Sequence, residues 1–241
     1  MNTNPDLKTI LVIDIETVAC SESYESMPER LKPLWLKKAG TFRNDEALTA
    51  EELFETRAGI FAEFGKIVTI AMGVFTSNDA GETGFRVKAL ANDDEAVLLQ
   101  EFKQFVETKF KNVQLALCAH NGKEFDFPYL CRRMLINCIP IPEVLNLSGK
   151  KPWEIPHLDT LEMWKFGDRK SFTSLELLAS IFGIDSSKDD IDGSMVNSVY
   201  YQEKDLEKIA RYCKQDVIVT AQLYLKLLCL PSIESKDIII L

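Results

Sequence analysis

Residues 8–15 read Lys-Thr-Ile-Leu-Val-Ile-Asp-Ile, and Glu16 follows them. The run is rich in β-branched residues and apolar nearly throughout, the pattern of a central strand buried on both faces. Side chains alternate along a strand, so Asp14 and Glu16 project to one side where the apolar run is expected to end. Two adjacent carboxylates repel each other, and burying either one unpaired is costly. A hard divalent cation resolves both problems, because Mg²⁺ and Mn²⁺ prefer oxygen ligands. A strand that has simply reached solvent explains the pair equally well.

Outward from this strand, residues 20–65 are polar and contain proline. Two helices are expected there, over 31–38 and 47–64, the second opening on a capping box of Thr49 and Glu52. Ile67–Phe75 and Phe85–Leu90 flank the turn-forming stretch 77–84 and predict a hairpin beside the first strand. Asp93–Phe110 has helical periodicity, with Val97, Leu98, Phe102, Phe105, Val106 and Phe110 on one face and Asp93 or Asp94 as cap. Val113–Ala119 predicts a second buried strand, and Asp126–Ile136 a helix that tolerates Pro128 in its first turn. Prolines 140, 142, 152 and 156 mark a connecting loop. Ser174–Phe182 predicts a helix ended by Gly183, and 185–193 an acidic loop. Lys204–Leu228 predicts a long helix with Leu206, Ile209, Ala210, Cys213, Val217, Ala221 and Tyr224 along one side. Asp237–Leu241 is expected to add an edge strand. Strands and helices interleave, so the expectation is one α/β domain over 1–241, with a helical insertion over about 20–64.

The chain has 241 residues, 46% of them hydrophobic and 27% charged, which argues against general disorder. Lys plus Arg total 28 against 37 Asp plus Glu, a formal charge of −9. That argues against coating nucleic acid by bulk electrostatics but not against holding it locally through bound metal. The six cysteines form no CxxC pair, so neither a zinc ribbon nor a dithiol redox motif is indicated. Most lie in apolar runs and are expected to be buried thiols. With no leader-like N-terminus and no apolar run of about 18 residues, a reducing, cytoplasmic setting without membrane contact is expected.

Two more segments carry chemistry. His120–Pro128 lies where a buried strand passes into a helix, the edge at which α/β sheets place ligand groups. Asp126 there reads either as a ligand group or as an ordinary N-cap. In Tyr212-Cys213-Lys214-Gln215-Asp216 the tyrosine and aspartate share a helix face. Asp216 borders the apolar positions 209, 213, 217 and 220, so it wants a partner or a metal, or else it sits at the edge of the stripe.

The order D-x-E on the first strand, N-x-x-x-F-D about 110 residues on, and Y-x-x-x-D in a late helix resembles the DEDD superfamily of 3′–5′ exonucleases. Tyr212, four residues before Asp216, matches its DEDDy branch; the sister branch has histidine where this chain has Arg211. The segments FAEFGKIVTIAMG (61–73), SLELLA (174–179) and DGSMV (192–196) look like the predicted exonucleases related to the proofreading domain of family B DNA polymerases. The resemblance implies a ribonuclease H-like fold, a central mixed β-sheet flanked by helices. It implies hydrolysis of terminal phosphodiesters with two divalent ions, Mg²⁺ or Mn²⁺, releasing nucleoside 5′-monophosphates. Asp14 would then bridge the ions, Glu16 and Asp216 complete the hydroxide-bearing site, and Asp126 hold the second ion. Tyr212 would orient or deprotonate the attacking water, orientation being the safer role for a phenol with an ordinary pKa near 10. Asn121 and Phe125 would contact the terminal nucleotide, core packing explaining Phe125 equally well, and Thr17 would offer its backbone N–H to the 3′ end. The implied partner is nucleic acid with a free 3′ end, single-stranded DNA favoured and RNA allowed. A catalytically silent nucleic-acid-binding or assembly module and a ribonuclease H-like endonuclease are the competing functions.

His157 is expected to be structural, Asp159 a turn or cap, and the pairs Lys150-Lys151 and Arg169-Lys170 solvated surface. The acidic run 189–193 fails as an EF-hand, since Lys188 and Val199 would occupy its first and twelfth ligand positions.

Overall fold

In the computed structural model, which describes residues 6–43, 47–77, 81–168, 172–185 and 191–241, the apolar run becomes strand β1, Ile10–Ala19. Lys8 stays outside it, in a 3₁₀ turn over Leu7–Thr9. β1 does not end at the carboxylates. It continues past Glu16 because β2 (Gly65–Ser77) keeps pairing antiparallel beside it, through an irregularity between Glu16 and Thr17. Such a bulge re-aims side chains without breaking the strand.

Between the two strands lie α1 (Lys32–Ala39) and α2 (Ala50–Arg57). The Thr49–Glu52 capping box forms as expected, but α2 stops at Arg57 rather than running to Phe64. A 3₁₀ turn over Ala58–Ile60 replaces it. There Gly59 is pressed onto β1, where a Cβ would lie 3.1–3.2 Å from the Val18 and Thr17 backbone. This segment has its own core around the fully buried Trp35 and Phe54, with the Trp35 indole donating to the Ala50 carbonyl at 2.7 Å.

The chain continues through β3 (Thr83–Ala91), α3 (Glu95–Lys109), β4 (Ala116–Ala119) and α4 (Asp126–Ile136). Then come β5 (Leu158–Asp159), α5 (Thr160–Lys165) and α6 (Leu175–Phe182). A short α7 (Val196–Ser198), extended by a wider π turn over Val199–Glu203, precedes α8 (Leu206–Leu227) and β6 (Ile238–Ile240). The strands form one mixed sheet in the order β5-β4-β1-β2-β3-β6. β1–β2 and β2–β3 pair antiparallel, while β1–β4, β4–β5 and β3–β6 pair parallel.

β1 is buried on both faces, as its composition predicts. Leu11, Ile13 and Ile15 pack with Leu98 and Phe102 of α3 and Phe127 and Leu130 of α4. Ile10 and Val12 pack on the other face with Val217, Ala221 and Tyr224 of α8. Each such side chain contributes roughly 1.5–3 kcal/mol of transfer free energy. Asp14 and Glu16 share the second face, towards α8. A buried ion pair fixes α3 to α4: both Glu95 carboxylate oxygens accept from Arg133, and Ile67 N and Asn137 complete the set.

Several expectations need correction. β5, α5 and the helical turns at 196–203 were not anticipated. Val97 is 43% exposed rather than core. α8 begins at Leu206, not Lys204, because Lys204 adopts φ +58 and Asp205 caps the new helix through Lys208 N. Of the cysteines only Cys118 and Cys213 are buried; Cys138 and Cys229 are exposed. The hairpin-loop residues 78–80, the pair Arg169-Lys170 and the acidic residues Asp189 and Asp190 lie outside the described residues. No described helix is long and apolar enough to cross a membrane.

Candidate active site

Three elements bring the four carboxylates together. β1 supplies Asp14 and Glu16. β4 pairs with β1 only along Ile10–Val12, so farther on the β1 backbone has no ladder partner on that side. Asp126 fills the gap, its Oδ1 accepting from Ile15 N at 3.2 Å. Asp126 is therefore not a helix cap. It is the first residue of α4, and Phe125 holds the N-cap position without a side-chain bond. α8 supplies the rest. The Tyr212 hydroxyl is hydrogen-bonded to Asp216 one turn on, and between them the Cys213 thiol donates to the Asp14 carboxylate at 3.2 Å.

The charges are poorly solvated. Glu16 is 8% and Asp126 3% exposed, while Asp14 and Asp216 are half-buried. Burial first, then the neighbouring carboxylates, holds Asp14 and Glu16 well above the ordinary carboxylate range. Burial also pushes Asp126 up to about 7, against the pull of its own backbone and the Ile15 N–H. Among the described residues, every charged group that shifts Asp14 and Glu16 is another carboxylate. The Tyr212 phenol is raised by burial and then by Asp216, Glu16 and Asp14, so it stays protonated at neutral pH. One ligand atom from each of Asp14, Glu16 and Cys213 lies within 4.8 Å of the others. The buried Thr69 hydroxyl, on the β2 residue opposite Glu16, has no protein partner.

The expected substrate residues stand around this cluster. The Thr17 hydroxyl donates to the Gly59 carbonyl at 2.8 Å, as does Tyr129, so the Thr17 side chain is committed to the α2 segment. Phe125 is half-buried and packs on Tyr129 with ring centroids 5.3 Å apart. Asn121 takes φ +62, where asparagine is one of the few tolerated side chains. Its carbonyl accepts from Glu124 N and Phe125 N and so shapes the turn that delivers Asp126.

Asp159 does more than cap a turn. It caps α5 through Leu161 N and Glu162 N and also accepts from Asn121 N and Lys123 N, each at 3.0 Å. It thereby braces the loop before Asp126, a role no local pattern signals. His157 is structural, as expected. Its Nδ1 accepts from Leu117 N, its Nε2 donates to the Val144 carbonyl, and burial lowers its pKa to about 4.

Residues 60–236 match the family model described as a predicted 3′–5′ exonuclease related to the exonuclease domain of PolB. The chain belongs to this family. It is an enzyme of the exonuclease class, and no curated protein matches its sequence. The matched span of this PolB-related exonuclease holds Asp126, Tyr212 and Asp216, while β1, α1 and α2 precede it. The family B DNA polymerase of the hyperthermophilic archaeon Pyrobaculum calidifontis is similar in structure, with a TM-score of 0.56 at 17% identity. The alignment covers 91% of this chain and 24% of the polymerase, so the exonuclease spans about a quarter of that protein. At that identity the likeness shows the fold, the ribonuclease H-like mixed sheet flanked by helices. E. coli exonuclease I in complex with a dT13 oligonucleotide also aligns, at a TM-score of 0.36 and 12% identity, over 91% of this chain and 45% of that one.

Proposed function

We propose that this exonuclease hydrolyses the 3′-terminal phosphodiester of nucleic acid, single-stranded DNA preferentially, at the Asp14–Glu16–Asp126–Asp216 cluster as a DEDDy-type enzyme. The observation that carries this is the convergence of four carboxylates from β1, α4 and α8, of which Asp14, Glu16 and Asp126 are held above the ordinary carboxylate range by burial and by acidic neighbours. A set of hard oxygen donors in that state fits Mg²⁺ or Mn²⁺. Asp14, Glu16, Asp126 and Asp216 would hold two such ions. Bound there, the ions supply a hydroxide equivalent and stabilise charge on the leaving oxygen.

The protein's own groups do the positioning. Tyr212, whose phenol burial and the neighbouring carboxylates hold protonated in the metal-free protein, would orient water beside Asp216 through its hydroxyl. The Ile15 N–H and the Asp159 brace hold Asp126 and its loop in place. Water attacks phosphorus, the bond to the penultimate 3′ oxygen breaks, and a nucleoside 5′-monophosphate leaves with a new 3′-hydroxyl behind it. The chain's net charge of −9 suits an enzyme that attracts phosphate at one point rather than along a basic surface.

The test is incubation of 5′-labelled single-stranded DNA and matching RNA with Mn²⁺, Mg²⁺ or chelator, beside Asp14→Ala. The expected result is a ladder shortening from the 3′ end, faster on DNA and absent in chelator and in the variant. Intact substrate in both metals would overturn the catalytic proposal in favour of a binding module, and internal cuts would favour an endonuclease.

A further inference from the structure

Three of the four carboxylates have a donor of their own in the protein. Asp14 accepts from the Cys213 thiol, Asp126 from Ile15 N and Asp216 from the Tyr212 hydroxyl. Among the described residues none donates to the Glu16 carboxylate, although Glu16 is buried. Opposite it in the β1–β2 ladder stands Thr69, wholly buried, whose hydroxyl has no hydrogen-bond partner among the described residues. An acceptor without a donor thus faces a donor without an acceptor.

The register puts the two on one face. Asp14 pairs with Ala71, and Ala71 packs with Cys213 and Val217 of α8. Alternation along β2 turns Thr69 to the same face as Ala71, the face that carries Asp14 and Glu16. The other sheet neighbours of Thr69 offer no side-chain acceptor, since Ala91 pairs with it from β3 and Ala71 lies two residues on. Directly opposed side chains on antiparallel strands have Cβ atoms about 4.5–5.5 Å apart, within reach of a hydroxyl-to-carboxylate hydrogen bond. Valine would fill the same volume without an unpaired hydroxyl, so packing alone does not account for threonine here. Carboxylates that ligate a metal are themselves held by hydrogen bonds. We propose that Thr69 is the positioning residue of Glu16, its hydroxyl donating to the Glu16 carboxylate when that carboxylate ligates a divalent ion. The pair is the last before the irregularity between Glu16 and Thr17, where a bulge re-aims side chains and the ladder alone fixes their direction least. The proposal rests on the metal-dependent exonuclease reading above, to which it adds a residue that is not itself a ligand.

The test uses two variants of the full chain, Thr69→Val, which keeps the volume and removes the hydroxyl, and Thr69→Ser, which keeps the hydroxyl. One arm measures Mn²⁺ binding by calorimetry and thermal melting in chelator. The other measures cleavage of single-stranded DNA against Mn²⁺ concentration. Thr69→Val is expected to melt no lower than wild type in chelator and to bind Mn²⁺ about tenfold more weakly, the usual effect of losing a group that orients a ligand. The Mn²⁺ concentration for half-maximal cleavage is expected to rise by about the same factor, with KM for DNA within about twofold, a loss at the ion rather than at the substrate. Thr69→Ser is expected to keep the wild-type Mn²⁺ affinity. Equal Mn²⁺ binding by Thr69→Val and wild type would overturn the proposal, as would equal losses in both variants, which would make volume rather than the hydroxyl decisive. A Thr69→Val protein that melts several degrees lower in chelator would also overturn it, since the hydroxyl would then serve the fold without the ion. A wild type that binds no Mn²⁺ would overturn this role and the metal reading together. Weakened Mn²⁺ binding in Thr69→Val, in a protein whose wild type cuts nothing, would leave the role of Thr69 standing and remove the exonuclease reading alone.

Discussion

Asp126 shows how a single carboxylate can be stabilised in place and destabilised in charge. Its Oδ1 accepts the Ile15 N–H that β4 leaves unpaired, so its position is fixed by the strand edge. Burial nevertheless raises its pKa to about 7, against roughly 3.9 for an exposed aspartate. Between those values the folded chain holds a proton that the unfolded chain releases. Its contribution to stability is therefore present at low pH and lost as pH rises towards 7 and beyond. Asp126→Asn keeps the acceptor and removes the charge. In metal-free buffer the variant is expected to melt several degrees above wild type at pH 8, the difference closing by pH 4.5. Parallel melting curves across that range in calorimetry would mean that the buried charge carries no cost. The same substitution is expected to abolish metal-dependent cleavage.

At the scale of elements, the positions that seat α1 and α2 on the sheet are decided by contacts across the chain. Gly65, the first residue of β2, faces the Tyr129 hydroxyl, and a Cβ there would collide with it and lie 2.9 Å from the Val18 carbonyl oxygen. Gly65→Ala is expected to push Tyr129 off the Gly59 carbonyl and to cost about 1–3 kcal/mol, the usual range for overpacking. A urea midpoint equal to wild type would show that the strand yields without strain. This kind of constraint separates what could be read from residue order from what could not. The apolar run of β1, the β2–β3 hairpin, the bounds of α4 and the Gly183 stop of α6 follow from side-chain period and from caps, which are local properties. The three acidic motifs were legible for the same reason, each being a short pattern on one element. β5 is two residues long and exists because Cys118 and Ala119 offer a free edge to Leu158 and Asp159. The early end of α2 answers to Thr17 and Tyr129, and the loop brace at Asp159 answers to Asn121 and Lys123. No local window contains both partners of any of these pairs.

For the whole molecule, the carboxylate cluster is a joint between β1, α4 and α8, and its mutual repulsion pushes apart the layers that the hydrophobic core holds together. A ligand that neutralises the cluster must then stabilise the fold as well as enable the chemistry. Binding to the native state alone adds RT ln(1 + [L]/Kd), about 2.7 kcal/mol for one site at a hundredfold excess over Kd. For a chain of this length, that corresponds to a rise of about 5–10 °C in Tm. Mn²⁺ or Mg²⁺ titrated into chelator-treated protein at pH 7.5 is expected to give such a rise. Glu16→Gln, which removes a charge disfavoured by burial and by its carboxylate neighbours, is expected to lose most of it while melting higher than wild type without metal. That opposite movement is diagnostic, since a surface ion effect or a general loss of packing shifts both melts in the same direction. If the variant and the wild type gain equally from metal, the cation binds elsewhere, and the four carboxylates must be held by some other counter-charge.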